Sequence, residues 1–220
     1  MRFSMETQMR IPTSLCAAAL AACAFLAPAV RAQVQVFGGP DDDRKACTLI
    51  FADMAGGNFT PKGAVSINYS QPDWKESYNK VLESGKFNGT NQRLGKNWWT
   101  SFDTYVPLTI GGTKVAPGNY YLGIHVDEKG AFSLLFLDQK TAVTSGWTPF
   151  MPAPWKSDIA APLTLAKDAL KESQAKMVIA ISADEKDTTK GKFSVQWGKH
   201  ELSAPVTFAL PATKDASAPK

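Results

Sequence analysis

Residues 106–126 read VPLTIGGTKVAPGNYYLGIHV, and their periodicity decides the fold class. Val106, Leu108 and Ile110 alternate with Pro107 and Thr109, the two-residue repeat of a strand with one buried face. Gly111-Gly112 turns the chain, Thr113 to Val115 is extended again, and Pro117-Gly118 makes a second turn. Tyr120, Leu122, Ile124 and Val126 then resume the alternation. Two strands joined through a short arm belong in an antiparallel β-sandwich, so the expected fold is mainly β.

Working outward, Asp127 to Gly130 reads as a hairpin turn after which Phe132 to Leu137 pairs back, and Trp98-Trp99-Thr100 opens a strand running through Phe102 and Tyr105. Cys47 to Met54 and Ala64 to Tyr69 are earlier strands, the second with Val65, Ile67 and Tyr69 alternating with Ser66 and Asn68. One short amphipathic helix is expected over about 73–84: Asp73 can cap it, Trp74, Tyr78, Val81 and Leu82 share one face, and Gly85 stops it. Residues 86–97 read as a polar loop, and the Asn88-Gly89-Thr90 glycosylation pattern in it as incidental. Residues 141–158 are irregular, with Trp147, Pro149, Pro152, Pro154 and Trp155 in a short interval. Met177 to Ala183 is a strand, and Phe193, Val195 and Trp197 alternate in another. Gly198-Lys199 then makes a two-residue hairpin turn, and His200 to Leu210 returns. Trp197 is expected in the core.

The N-terminus has the plan of a secretory signal peptide: a polar segment with Arg2 and Arg10, an apolar run from Leu15 to Val30, and a small residue at Ala32 before Gln33. Leu20-Ala21-Ala22-Cys23 has the spacing of a lipobox, which would put an acylated Cys23 at the mature N-terminus; the apolar run continues through Ala24, Phe25 and Leu26, which favours the soluble form. The expected organisation is a signal peptide over 1–32, an N-terminal arm over 33–45, a β-sandwich domain over 46–210 and a disordered tail over 211–220, in a periplasmic or secreted protein. Without residues 1–32 the 24 basic and 20 acidic residues become 21 and 19, a balance that offers no basic stripe for nucleic acid. No other apolar run approaches the ~18 residues that cross a bilayer. Cys47 is then the single cysteine of the mature chain and is expected to be buried rather than reactive.

Little in the sequence supports catalysis. His125 and His200 belong to no metal-ligand or triad spacing, and no nucleophile elbow, phosphate loop or dinucleotide fingerprint is present. Asp41-Asp42-Asp43 lacks the alternation of a calcium loop. No metal or cofactor is expected. A carboxylate-based hydrolase is the alternative; its two acids could come from anywhere in the chain, and Asp103, Asp127, Asp138 and Glu201 are candidates only by default. The favoured function is binding of a ligand or an envelope partner through aromatic loops. Trp98, Trp99, Trp147 and Trp155 lie in or beside loops, where flat rings can stack on sugars or apolar side chains; Trp74 is similarly placed.

Residues 106–122, with a glycine and tryptophan before the preceding strand, the Ser70-Gln71-Pro72 strand end and the Phe193, Val195, Trp197 hairpin, resemble a bacterial exported family known as domain of unknown function 2911. The resemblance covers about residues 60–210 and implies the fold, with no established activity. Where that family carries an Arg-Thr-Gly-Ala-Asn run after the tryptophan, this chain has Trp99-Thr100-Ser101-Phe102-Asp103, so a site formed by that run would be altered here.

Overall fold

Alternating apolar residues separated by glycine-rich turns give, in the computed structural model, twelve strands among the described residues, which are 44–150, 155, 157 and 159–211. In chain order they are β1 (Arg44–Asp53), β2 (Thr60–Ser70), β3 (Thr90–Arg93), β4 (Thr100–Thr104), β5 (Leu108–Ile110) and β6 (Thr113–Val115). There follow β7 (Gly118–Val126), β8 (Phe132–Asp138), β9 (Ile159–Ala166), β10 (Gln174–Ala183), β11 (Lys190–Gly198) and β12 (His200–Phe208). Helix α1 (Ser77–Glu83) lies between β2 and β3, and α2 (Gln139–Thr144) follows β8. No helix among them is long and apolar enough to cross a membrane. The expected signal peptide, the Asp41–Asp43 loop and the tail beyond Pro211 lie outside the described residues.

All the pairings are antiparallel, and one hydrogen-bonded path runs β1-β2-β4-β7-β8-β9-β12-β11-β10. Strand β9 joins the two layers, since Phe132 of β8 pairs with Leu163 while Leu202 of β12 pairs with Leu165. The 106–126 unit ties the layers together at a second place. Its β7 lies between β4 and β8, while β5 pairs with β12 through Val206 and Ile110. Gly111 and Gly112, at φ 54° and 85°, form the tight β5–β6 turn that glycine makes available. The two ends of the path approach each other, because the Ile181 N–H of β10 lies 3.5 Å from Cys47 Sγ of β1. Cys47 is half-buried at this seam. Full closure removes exposed edges, and this near-closure does most of that.

Inward residues of every long strand fill the space between the layers. Val65, Ile67, Phe102, Leu122, Leu134, Ile179 and Phe193 are all inaccessible to solvent; each such side chain contributes about 1.5–3 kcal/mol through burial. Phe102 meets Phe136 edge-on at 5.4 Å.

Several boundaries differ from expectation, each for a visible reason. β1 begins at Arg44, inside the expected arm, because Arg44 and Lys45 pair with Ser70 and Tyr69. Asp73 does not cap α1: it forms a bridge with Lys176, and the Trp74 N–H donates to Ala175 O, so this stretch is held extended against β10. The helix starts only at Ser77, with no side-chain cap. Gly85, at φ 65°, follows its end as expected. The 86–97 loop contains β3, whose Thr-Asn-Gln-Arg has no apolar residue to betray it; β3 pairs with the last residues of β7. The irregular 141–158 stretch overlaps a helix, α2, capped by Asp138 through the Thr141 N–H at 2.7 Å. Pro152, Pro154 and Asp158 lie outside the described residues.

Candidate functional site

The four loop tryptophans do not form an open aromatic platform. Trp99 is fully buried and Trp155 is 3% exposed; they lie 4.7 Å apart and form a small second core with Tyr121, Leu135, Leu137 and Ala142 on the outer face of β7 and β8. A Cβ on Gly123 would meet the Trp155 ring at 3.0 Å, so that indole lies directly on the β7 backbone. The Asn91 amide holds the Trp155 carbonyl, while its Oδ1 faces His125 Nδ1 at 2.6 Å. Trp147 is half-buried against the same cluster. Trp98 alone stands open, 50% exposed. Trp99 and Trp155 are therefore packing residues, with rings closed to a ligand. Among the described residues, the buried indole N–H of Trp99 has no acceptor.

The open space lies elsewhere, at one end of the sandwich. Between β2 and β4, residues 71–99 build a cap that contains α1 and the short strand β3, which stays in the sheet through β7. Its base is stitched to the opposite layer: the Gln71 amide donates to Met177 O at 2.9 Å, Met177 N–H donates to Pro72 O, and Trp197 Nε1 donates to Pro72 O at 3.0 Å. Beneath the cap is a cavity of about 280 Å³. Leu82, Phe87 and Leu94 line it from the cap, and Met177, Val195 and Leu202 from the strands.

Aromatic side chains form one wall. Trp74 packs edge-on against Tyr78, Trp197 and His200, with centroids at 5.6, 5.2 and 5.5 Å. Trp197 packs against the core, as its alternation with Val195 requires, yet it remains half-buried. It is the last inward residue before the β11–β12 turn, so its ring lines the cavity instead of filling the interior. Gly198 at that turn has φ 60°, and a Cβ there would come within 2.6 Å of Trp74 Cδ2, so only glycine lets the ring settle on the turn. His200 accepts the Asp168 N–H at Nδ1 and faces Asn79 Oδ1 from Nε2 at 2.8 Å, linking α1 to β12.

A second chamber of similar volume abuts the first and shares Leu82, Phe87, Val126, Phe132 and Leu165 with it. Its remaining lining is mixed: Val81 and two glycines, with the polar Glu83, Asn88, Lys129 and Lys167.

The four default candidate acids carry structural duties. Asp103 accepts from the Asn119 amide at 2.6 Å, and Asp138 caps α2. Asp127 accepts the Ala131 and Lys129 N–H groups, and the Ala131 bond contributes most to holding its carboxyl below the usual range. For Glu201, burial pushes the pKa up, but hydrogen bonds from Lys192, Gln196 and Ser203 together outweigh it and leave the carboxyl below its ordinary value. A general acid at neutral pH needs the opposite shift. Among the described residues no three His, Cys, Asp or Glu side chains are grouped to hold a metal ion.

The cap and its cavity escaped the sequence reading because a cavity depends on how side chains from distant strands fail to meet. The one available signal was Trp74 just before a short helix that carries Tyr78, followed by Phe87 and Leu94 in an otherwise polar stretch. No curated protein and no solved structure matches the chain. A family model does match, over residues 55–206, from the turn after β1 through most of β12, and so includes the whole cap. The chain belongs to the family described as protein of unknown function DUF2911.

Proposed function

We propose that this is an exported binding module whose ligand places an apolar part in the cavity beneath the cap. The observation that carries the reading is the cavity itself: about 280 Å³ with an apolar lining, walled by Trp74 and Trp197, in the mouth of a nearly closed β-structure. Such mouths are common small-molecule sites, and pockets of this kind begin at about 300 Å³. One water occupies about 30 Å³ of liquid, so the space takes on the order of nine or ten non-hydrogen atoms.

The cap supplies a route of entry. Helix α1 has seven residues and none of them is buried; a helix so short has little stability of its own and opens locally at low cost. The signal-peptide plan of residues 1–32 supports an exported location, where the ligand would be an envelope or extracellular compound.

A chain-length series tests the proposal. Thermal melting of residues 33–220 with straight-chain alcohols of six to fourteen carbons is expected to show stabilisation that rises with length and levels off near ten carbons, at about 0.8 kcal/mol of binding per buried methylene. No stabilisation at any length would refute it.

A further inference from the structure

The polar chamber beside the apolar one says what kind of ligand fits. The two share five wall residues, so they lie side by side with Phe87 and Phe132 common to both. The second is lined by Lys129, on the β7–β8 turn, and Lys167, just after β9. Both side chains are exposed and neither is in a close salt bridge among the described residues, although the Asp127 carboxylate, two residues away, attracts Lys129. Glu83 is the single carboxylate lining the same chamber, so two ammonium groups face one acid. The arrangement is an apolar slot beside a chamber whose own lining carries two ammonium groups and one carboxylate.

We infer that the ligand is a single-chain amphiphilic anion, such as a medium-chain carboxylate, with its tail beneath the cap against Trp74 and Trp197 and its headgroup between Lys129 and Lys167. This rests on the proposed function, since the tail occupies the same cavity. The headgroup stays in contact with water, which avoids burying its charge, and the lysines attract it as solvated point charges. Opposite charges near a surface contribute modestly, so the chain supplies most of the affinity and the lysines select the sign.

The test is isothermal titration of residues 33–220 with decanoate, 1-decanol and decyltrimethylammonium, in the unaltered protein and in a Lys129→Gln/Lys167→Gln double variant. The lysines are exposed, so the double variant is expected to melt normally. Decanoate is expected to bind about five- to thirtyfold tighter than 1-decanol at low salt, and the ammonium compound more weakly than either. The double variant should lose the preference for decanoate while keeping its affinity for 1-decanol, and salt should weaken decanoate binding alone. Equal affinities for decanoate and 1-decanol, or a preference that survives in the double variant, would overturn the headgroup assignment and leave the cavity reading standing. If none of the three compounds binds, both readings fall together.

Discussion

Gly198→Ala separates two costs that the structure places at one residue. The first is conformational: Gly198 has φ 60°, and an L side chain in the left-handed region costs about 1–2 kcal/mol. The second is steric, because the new methyl would lie within 2.6–2.7 Å of Trp74 Cδ2 and Cζ2, and the indole must move. Trp74 then leaves its edge-on contacts with Tyr78, Trp197 and His200; such aromatic pairs contribute about 0.5–1.5 kcal/mol each, and losing one or two adds about 1–2 kcal/mol. Gly112→Ala provides the control. Gly112 has φ 85° in the β5–β6 turn and nothing within 4 Å of the added carbon, so it reports the conformational cost alone. Urea unfolding should place Gly112→Ala about 1–2 kcal/mol and Gly198→Ala about 2–4 kcal/mol below the unaltered protein, and each kcal/mol corresponds to about 2–4 °C in Tm for a chain of this size. Gly198→Ala should also weaken chain binding beneath the cap. Equal losses of stability in the two variants, with binding unchanged, would refute the seating of Trp74 on the turn.

Three further outcomes follow from the packing and the charges. Trp99→Phe removes a buried indole N–H that has no acceptor among the described residues, which offsets the lost ring volume, so urea unfolding should find it close to the unaltered protein while Trp99→Ala loses about 3–5 kcal/mol; equal losses would contradict the buried, unpaired N–H. Trp155→Ala should cost a similar about 3–5 kcal/mol yet leave binding of 1-decanol intact at temperatures where the variant is folded, whereas lost binding with unchanged stability would put the ligand on the tryptophan face. The Asp187 carboxyl is lowered from its ordinary 3.8 to about 2, first by the hydrogen bond from Lys190 and then by that from Thr189. A lowered carboxylate stabilises the fold above its unfolded value and loses that effect as pH falls through the folded one, so the Tm difference between the unaltered protein and Asp187→Asn should be full near pH 6 and vanish between about pH 4 and 2. Lys190 is raised by the same hydrogen bond, and its share is complete below its ordinary 10.5 and fades above it; a difference that is constant from about pH 2 to 7 would refute the pairing.

How much of this could be seen in the sequence depends on whether the information was local. The Gly111-Gly112 and Gly198-Lys199 turns were legible because positive φ demands glycine there, and the alternations around them gave each strand its inward face. Continuous apolar runs carried a further message that alternation obscured. Leu134 to Leu137 of β8 and Tyr120 to Ile124 of β7 are buried on both faces, because α2 and the Trp99, Trp155 cluster cover the outer side. That pattern marks Trp99 and Trp155 as packing residues. The polar strand β3 was hidden because its pairing to β7 needs no apolar side chain, and the start of α1 because Pro72 to Trp74 is recruited by β10, more than a hundred residues away. The cavity is a property of several strands at once, and no local period reports it.

The most direct test of the central claim is to fill the cavity. Leu202, half-buried on β12, lines it, and Leu202→Trp places an indole in the open space with little strain elsewhere. Titration of 1-decanol, followed by tryptophan fluorescence with calorimetry as a check, should show saturable binding to the unaltered protein and to Trp98→Ala. Leu202→Trp should show none, while its unfolding stays cooperative at an equal or higher Tm. Undiminished binding to a folded Leu202→Trp would show that the ligand sits elsewhere and would contradict the account.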